Sequence, residues 1–151
     1  MKYNEKKRLQ IALRRLYSTG TPSKELIPLL GVEKHDFIKH VNYFLISGMT
    51  MDNFGKVWGL DHIVPVDLFD LTNQDDKKLC YSFINIMPMF NHDNRLKGAS
   101  IHFSLEKLIN LKSVADSLSV TEPMYTNVYI SPLIEKCEEQ INSVYNKYLI
   151  P

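Results

Sequence analysis

Trp58-Gly59-Leu60-Asp61-His62-Ile63-Val64-Pro65 is the stretch on which the fold turns. Val57-Trp58-Gly59-Leu60 is short and apolar and reads as a strand, and Pro65 then takes the chain away. A carboxylate and an imidazole therefore stand side by side at a strand end. Alternation sets a condition on them: Asp61 and His62 lie on opposite faces of a continuing strand. They serve one site only if the strand bends or the following loop carries His62 round. A second apolar run, Ile84-Asn85-Ile86-Met87, reads as the partner of Val57-Trp58-Gly59-Leu60. The polar segment Thr72-Asn73-Gln74-Asp75-Asp76-Lys77-Lys78 between them reads as part of a long connecting loop. An asparagine inside an apolar run, as at Asn85, has a structural hydrogen-bonding task.

Outward from this centre the pattern is helical. Leu9, Ala12, Leu13, Leu16 and Tyr17 recur at helical spacing, with Lys6, Lys7, Arg8, Arg14 and Arg15 mostly on the other face and Gly20 as the stop. Thr21-Pro22 offers a cap and first turn for a short second helix that Pro28 limits before Gly31. Phe37, Ile38, Val41, Phe44 and Leu45 form the stripe of a third helix over about 33–46, ended by Ser47-Gly48. The second and third helices are compatible with a helix-turn-helix, and equally with two helices packed through their apolar stripes. Beyond the strands, a helix beginning near Asn91–Asn94, another around 104–118, and a last one capped by Ser131-Pro132 are expected. Leu133, Ile134, Cys137, Ile141, Val144, Tyr145 and Tyr148 form the apolar face of that last helix. The expected class is α+β, mainly helical, in a single domain. A basic helical part spans residues 1–48, a two-strand-and-helix core 49–99, and a C-terminal helical extension 100–151.

Composition bounds the function. With 151 residues and 44% hydrophobic content the chain can bury an ordinary core. No window suits a membrane span, and Met-Lys-Tyr-Asn-Glu-Lys-Lys-Arg lacks the apolar region of a secretory signal, so an intracellular, cytoplasmic protein is expected. Cys80 and Cys137 are too far apart for a structural zinc site and are expected as reduced, buried thiols. The net charge of +1 hides an asymmetry. Residues 1–24 carry Lys2, Lys6, Lys7, Arg8, Arg14, Arg15 and Lys24 against Glu5, a net of +6. Residues 113–151 carry a net of −3. One face is thus expected to meet a polyanion.

Asp61-His62, then Asn85, then Asn94 nine positions later, with Lys97 three beyond, resembles the HNH endonuclease motif of the ββα-metal superfamily, here with Asn as its third letter. Leu29-Leu30-Gly31, the run Gly48-Met49-Thr50-Met51-Asp52-Asn53-Phe54-Gly55, and Phe69-Asp70-Leu71 with Cys80 are similar to a group of phage and large-virus HNH proteins. The resemblance covers about residues 25–98. It implies two short antiparallel strands and a helix, and a metal-dependent endonuclease that nicks or cuts DNA.

By that resemblance His62 is the general base: an imidazole with a reference pKa of about 6.5 is partly neutral at physiological pH and can take a proton from water. Asp61 and Asn94 would hold one Mg²⁺ or Mn²⁺, a sparse set of hard oxygen donors that leaves room for water and phosphate. Asn85 would pin the loop carrying His62 without being a ligand. Lys97 and, less directly, Arg95 would reach phosphate oxygens, while Lys6, Lys7, Arg8, Arg14 and Arg15 add sequence-independent DNA affinity. His92 is read as exposed at the helix start, and His35, His40 and His102 as structural or surface residues. Many HNH proteins carry a zinc held by paired cysteines. With none here, Trp58, Phe69, Phe83 and Phe90 are the candidate anchors.

Two alternatives stand beside this reading. One is a DNA-binding protein that keeps the architecture without cleaving. The other is a nuclease acting on branched or RNA-containing substrates, since the chemistry is aimed at the phosphate and not the bases. Monomer and homodimer both remain open.

Overall fold

The computed structural model describes residues 2–93, 101–117 and 126–149. It is α+β: several helices around one two-stranded antiparallel sheet. Helix α1 (Lys2–Thr19) buries Leu9, Leu13, Leu16 and Tyr17, the stripe expected of it. The second helix is a correction. The chain first turns over 24–26, and α2 runs only Ile27–Leu30, with Pro28 in its first turn. A proline there loses nothing, because first-turn N–H groups have no helical partner, so Pro28 opens the helix instead of limiting it. Helix α3 (Lys34–Tyr43) is shorter than expected. Phe44 and Leu45 donate to Val41 and Asn42 three residues back, which tightens the last turn and ends it well before Gly48. Leu29, Leu30, Phe37 and Val41 from α2 and α3 all enter the common core, and α2 packs against a later helix. The packing account of these two helices therefore suffices.

Strand β1 (Trp58–His62) pairs antiparallel with β2 (Ile86–Phe90), in register from Trp58 opposite Phe90 to His62 opposite Ile86. Here β2 begins two residues later than the apolar run suggested. Phe83–Asn85 form a tight 3-10 turn in which Asn85 N–H donates to Ser82 O at 2.9 Å. Pro88, opposite Leu60, lacks an N–H, which suits a strand of a two-stranded sheet. From α1, Gln10 Nε2 donates to Leu60 O at 3.1 Å and so gives β1 a partner besides β2.

The polar connection expected as loop contains helix α4 (Gln74–Cys80). Asn73 caps it, its side chain accepting from Asp76 N–H; Asp75 and Asp76 sit in its first turn and Lys77 and Lys78 in its last, as the helix dipole favours. Its charges also cross-link the chain. Lys77 pairs with Glu5 of α1. Asp76 pairs at 2.8 Å with Lys136, whose ammonium lies 5.6 Å from the Phe69 ring.

Lys136 belongs to α6 (Ser131–Leu149), which packs against α5 (Ile101–Ser117) and against the π-helical residues Thr126–Ile130 before it. Leu133 and Cys137 of α6 are fully buried, and Ile134 and Ile141 partly so; Val144, Tyr145 and Tyr148 lie outside the residues whose side chains are described. Tyr129, just before α6, stands where a side chain at Gly31 would have to go, so the C-terminal helices seat directly on the α2–α3 turn. Trp58, Phe69 and Phe83 are core anchors as expected, while Phe90 is half-buried. Cys80 and Cys137 are free, buried thiols. Burial raises both, Cys137 to about 11, so neither is a thiolate at neutral pH. Among the described residues no helix is long and apolar enough to cross a membrane.

Candidate functional site

The C-terminal end of β1 and the corner after it are fixed almost entirely from the side of β2. Asn85 is fully buried, and its amide brackets Val64: Oδ1 accepts from Val64 N–H at 2.8 Å, and Nδ2 donates to Val64 O at 3.2 Å. Nδ2 also donates to Cys80 O at 2.9 Å, which ties the end of α4 to the same corner. Asn85 O accepts from Ile63 N–H at 2.8 Å, and Ser104 Oγ of α5 donates to Ile63 O at 2.5 Å. Every polar backbone group of Ile63 and Val64 is thereby satisfied without water, which is why the chain can turn inside the core here.

Alternation along β1 holds to its last residue. Trp58, Leu60 and His62 face inward, and Gly59 and Asp61 are half-buried on the other face. The strand does not bend between Asp61 and His62, so the two side chains leave from opposite faces. His62 is 4% exposed, with its ring edge-on to Tyr81, centroids 5.0 Å apart at 86°. Tyr81 is the residue that terminates α4, so that helix determines what stands against His62. Burial raises the Tyr81 phenol well above its ordinary value and keeps it neutral.

His40 supports the same region from α3. Its Nε2 lies 3.0 Å from Ile86 O, opposite His62 in the sheet, and its ring packs edge-on against Phe44 and Phe83. Burial lowers its pKa, and since a carbonyl can only accept, the neutral ring must carry its proton on Nε2. Tyr81 and Ser104 were not singled out from the sequence, and His40 was expected only as a structural or surface residue. Only His40 had a signal, lying three residues after Phe37 on the stripe that α3 buries.

The expected metal set is divided. Asp61 is an oxygen donor of the kind a hard cation takes, half-buried at a strand end, and it fits such an ion. Asn94, with Arg95 and Lys97, lies outside the described residues. Among the described residues no three His, Cys, Asp or Glu side chains converge on a common point. Residues 91–93 enter helical geometry directly after β2, and His92 is exposed there. Asn91 ties this turn back to the start of β1: its N–H donates to Val57 O at 2.9 Å and its Nδ2 to Lys56 O at 3.0 Å.

The cations of α1 fall into two groups. Arg8 makes a two-pronged pair with Glu25, at 2.8 Å from Nε and 2.7 Å from Nη2, which raises the guanidinium and lowers the carboxyl from their ordinary values. Lys6 lies 3.7 Å from Asp67. Lys7, Arg14 and Arg15 are exposed and make no ion pair among the described residues.

No protein-family model matches the chain, and no solved structure does. It is similar to two uncharacterized proteins of Acanthamoeba polyphaga mimivirus. One, uncharacterized protein L426, is 27% identical over 101 residues, covering 67% of this chain and 44% of the viral protein. The other, uncharacterized protein L246, is 32% identical over 85 residues, 54% of this chain and 38% of the viral protein. The chain spans less than half the length of either relative.

Proposed function

We propose that this protein is a metal-dependent endonuclease of the HNH type that hydrolyses DNA phosphodiester bonds, with a site of action in the cytoplasm. The observation that carries the reading is the Asn85 bracket: a buried amide that holds both backbone groups of the residue two beyond an Asp-His pair and ties them to the end of α4. Such a device maintains the aim of the residues before it. In this reading His62 takes a proton from the attacking water through a ring nitrogen, and its neutral form is the competent one. Asp61 and Asn94 hold a divalent ion, which when bound compensates charge on the phosphate and assists the leaving oxygen. Lys97 and Arg95 neutralise neighbouring phosphates. One such site per chain makes a nick, and a double-strand break needs a dimer or two successive events.

A second reading is favoured by the burial of His62 and its departure from the face opposite Asp61. In it the protein binds nucleic acid and does not cut. One experiment separates the two: supercoiled plasmid incubated with wild type, His62→Ala and Asp61→Ala, each in Mg²⁺, Mn²⁺ and EDTA. Metal-dependent nicked circles, reduced by at least a hundredfold in His62→Ala, are the expected outcome. Undiminished cutting by His62→Ala removes that residue from the mechanism. Retarded but uncut plasmid under every condition replaces the nuclease reading with the binding one.

A further inference from the structure

We infer that the outward face of α1 is a binding surface for the phosphate backbone of duplex DNA, carried by Lys7, Arg14 and Arg15 and not by Lys6 or Arg8. The inference rests on the DNA-directed reading above but not on cleavage. Helical spacing sets Lys7, Ile11, Arg14, Arg15 and Ser18 on the side of α1 opposite its buried residues Leu9, Leu13 and Leu16. No acidic residue shares that face. The acids near α1 are already committed: Glu5 to Lys77, Glu25 to Arg8 and Asp67 to Lys6. Three cations without a carboxylate among them present a field that a polyanion complements and an acidic or neutral surface does not.

The geometry favours a regular backbone. Lys7 and Arg14 are two helical turns apart, a rise of about 10 Å, comparable to about three phosphate steps along one strand. The arginines can grip a phosphate with two parallel N–H groups, and the lysine acts as a point charge. An anionic membrane is a poorer fit. A helix that enters the headgroup layer needs its apolar stripe for the acyl boundary, and α1 has buried its stripe in the core. Ile11, 46% exposed between Lys7 and Arg14, is the one large apolar residue on this face among the residues whose side chains are described. The face is also rigidly related to the candidate site, since α1 bonds β1 through Gln10 and Leu60 and packs Tyr17 edge-on against Trp58 at 5.7 Å.

The test is equilibrium binding of the full chain to a labelled 30-base-pair duplex in EDTA, between 50 and 300 mM salt, all on the order of usual conditions. Lys7→Ala/Arg14→Ala/Arg15→Ala is compared with Lys6→Ala/Arg8→Ala. The triple variant is expected to flatten the slope of log K against log salt by about two to three and to bind at least tenfold more weakly at low salt. The double variant should keep the wild-type slope. An unchanged slope in the triple variant, or an equal loss in the double variant, overturns the inference. So does binding to phosphatidylserine vesicles that needs the three cations while duplex binding does not. Because EDTA excludes cleavage, an uncut plasmid combined with a flattened slope would sink the nuclease reading and leave this surface standing. Cut plasmid with an unchanged slope would do the reverse.

Discussion

The loop before β1 and the corner after it are each held by an asparagine that brackets backbone, and the two brackets differ in what surrounds them. Before the strand, Asn53 accepts from Thr50 N–H at 2.9 Å and donates to Gly48 O at 2.8 Å, in a loop open to water. After it, Asn85 makes three such bonds in the dry interior. The same side chain thus does a local job in one place and an irreplaceable one in the other. Water can substitute for Asn53, but nothing can reach Val64 or Cys80 to substitute for Asn85.

The largest expected effect follows directly. Asn85→Ala strands one buried N–H and two buried carbonyls and should cost about 3–5 kcal/mol of unfolding free energy in urea titration. A loss below about 1 kcal/mol would mean that the corner relaxes and the contrast is false. Next in size is a pH effect confined to the Asn85 end. Burial lowers the pKa of His40, whose ring supports Ile86. Above the unfolded value of about 6.5 neither state holds the proton and stability is complete. As pH falls below it, the unfolded chain binds the proton first, and stability drains away until the folded value is passed, by no more than about 1.4 kcal/mol per pH unit. His40→Gln should remove that part of the acid sensitivity, and an identical slope in wild type and variant would exclude His40 as its source. The smallest effect belongs to the open bracket. Asn53→Ala should cost about 0.5–1 kcal/mol, and a loss matching that of Asn85→Ala would erase the distinction between the two ends.

The same contrast explains what the sequence disclosed. A strand at Val57–Leu60 was legible as a short apolar run, and the structure sets it one residue later and carries it to His62, with one face buried and the other half-buried. The alternation of side chains along any strand also announced the opposed faces of Asp61 and His62, and the strand keeps them opposed. The start of β2 was not legible, because Ile84 is as apolar as Ile86 and also buried, and nothing in hydrophobicity distinguishes a tight turn from a strand when both are interior. Helix α4 was missed for another reason. Its seven residues bury only Cys80 fully, too few for a period to show. Its signal was chemical: Asn73 as cap, then acids, then bases. Of the candidate site, Asp61, Asn85 and His62 were legible by residue type and position. Of the partners supplied by packing, Tyr81 and Ser104 come from different elements and leave no spacing to find, while His40 shows only in its place on the buried stripe of α3.

The route between the strands has a kinetic meaning. The shortest pairing in the sheet, His62 with Ile86, encloses all of α4, so β1 and β2 are not a hairpin that can zip from a local turn. The entropy of closing that loop is spent before any strand bond rewards it, which makes the sheet a late event in folding. Ile63 and Val64 draw partners from Asn85 at the far end of that loop and, for Ile63 O, from Ser104 beyond it. The Asp61-His62 corner therefore depends on contacts distant in sequence, and a chain whose two strands have not met lacks the Asn85 part of its bracing.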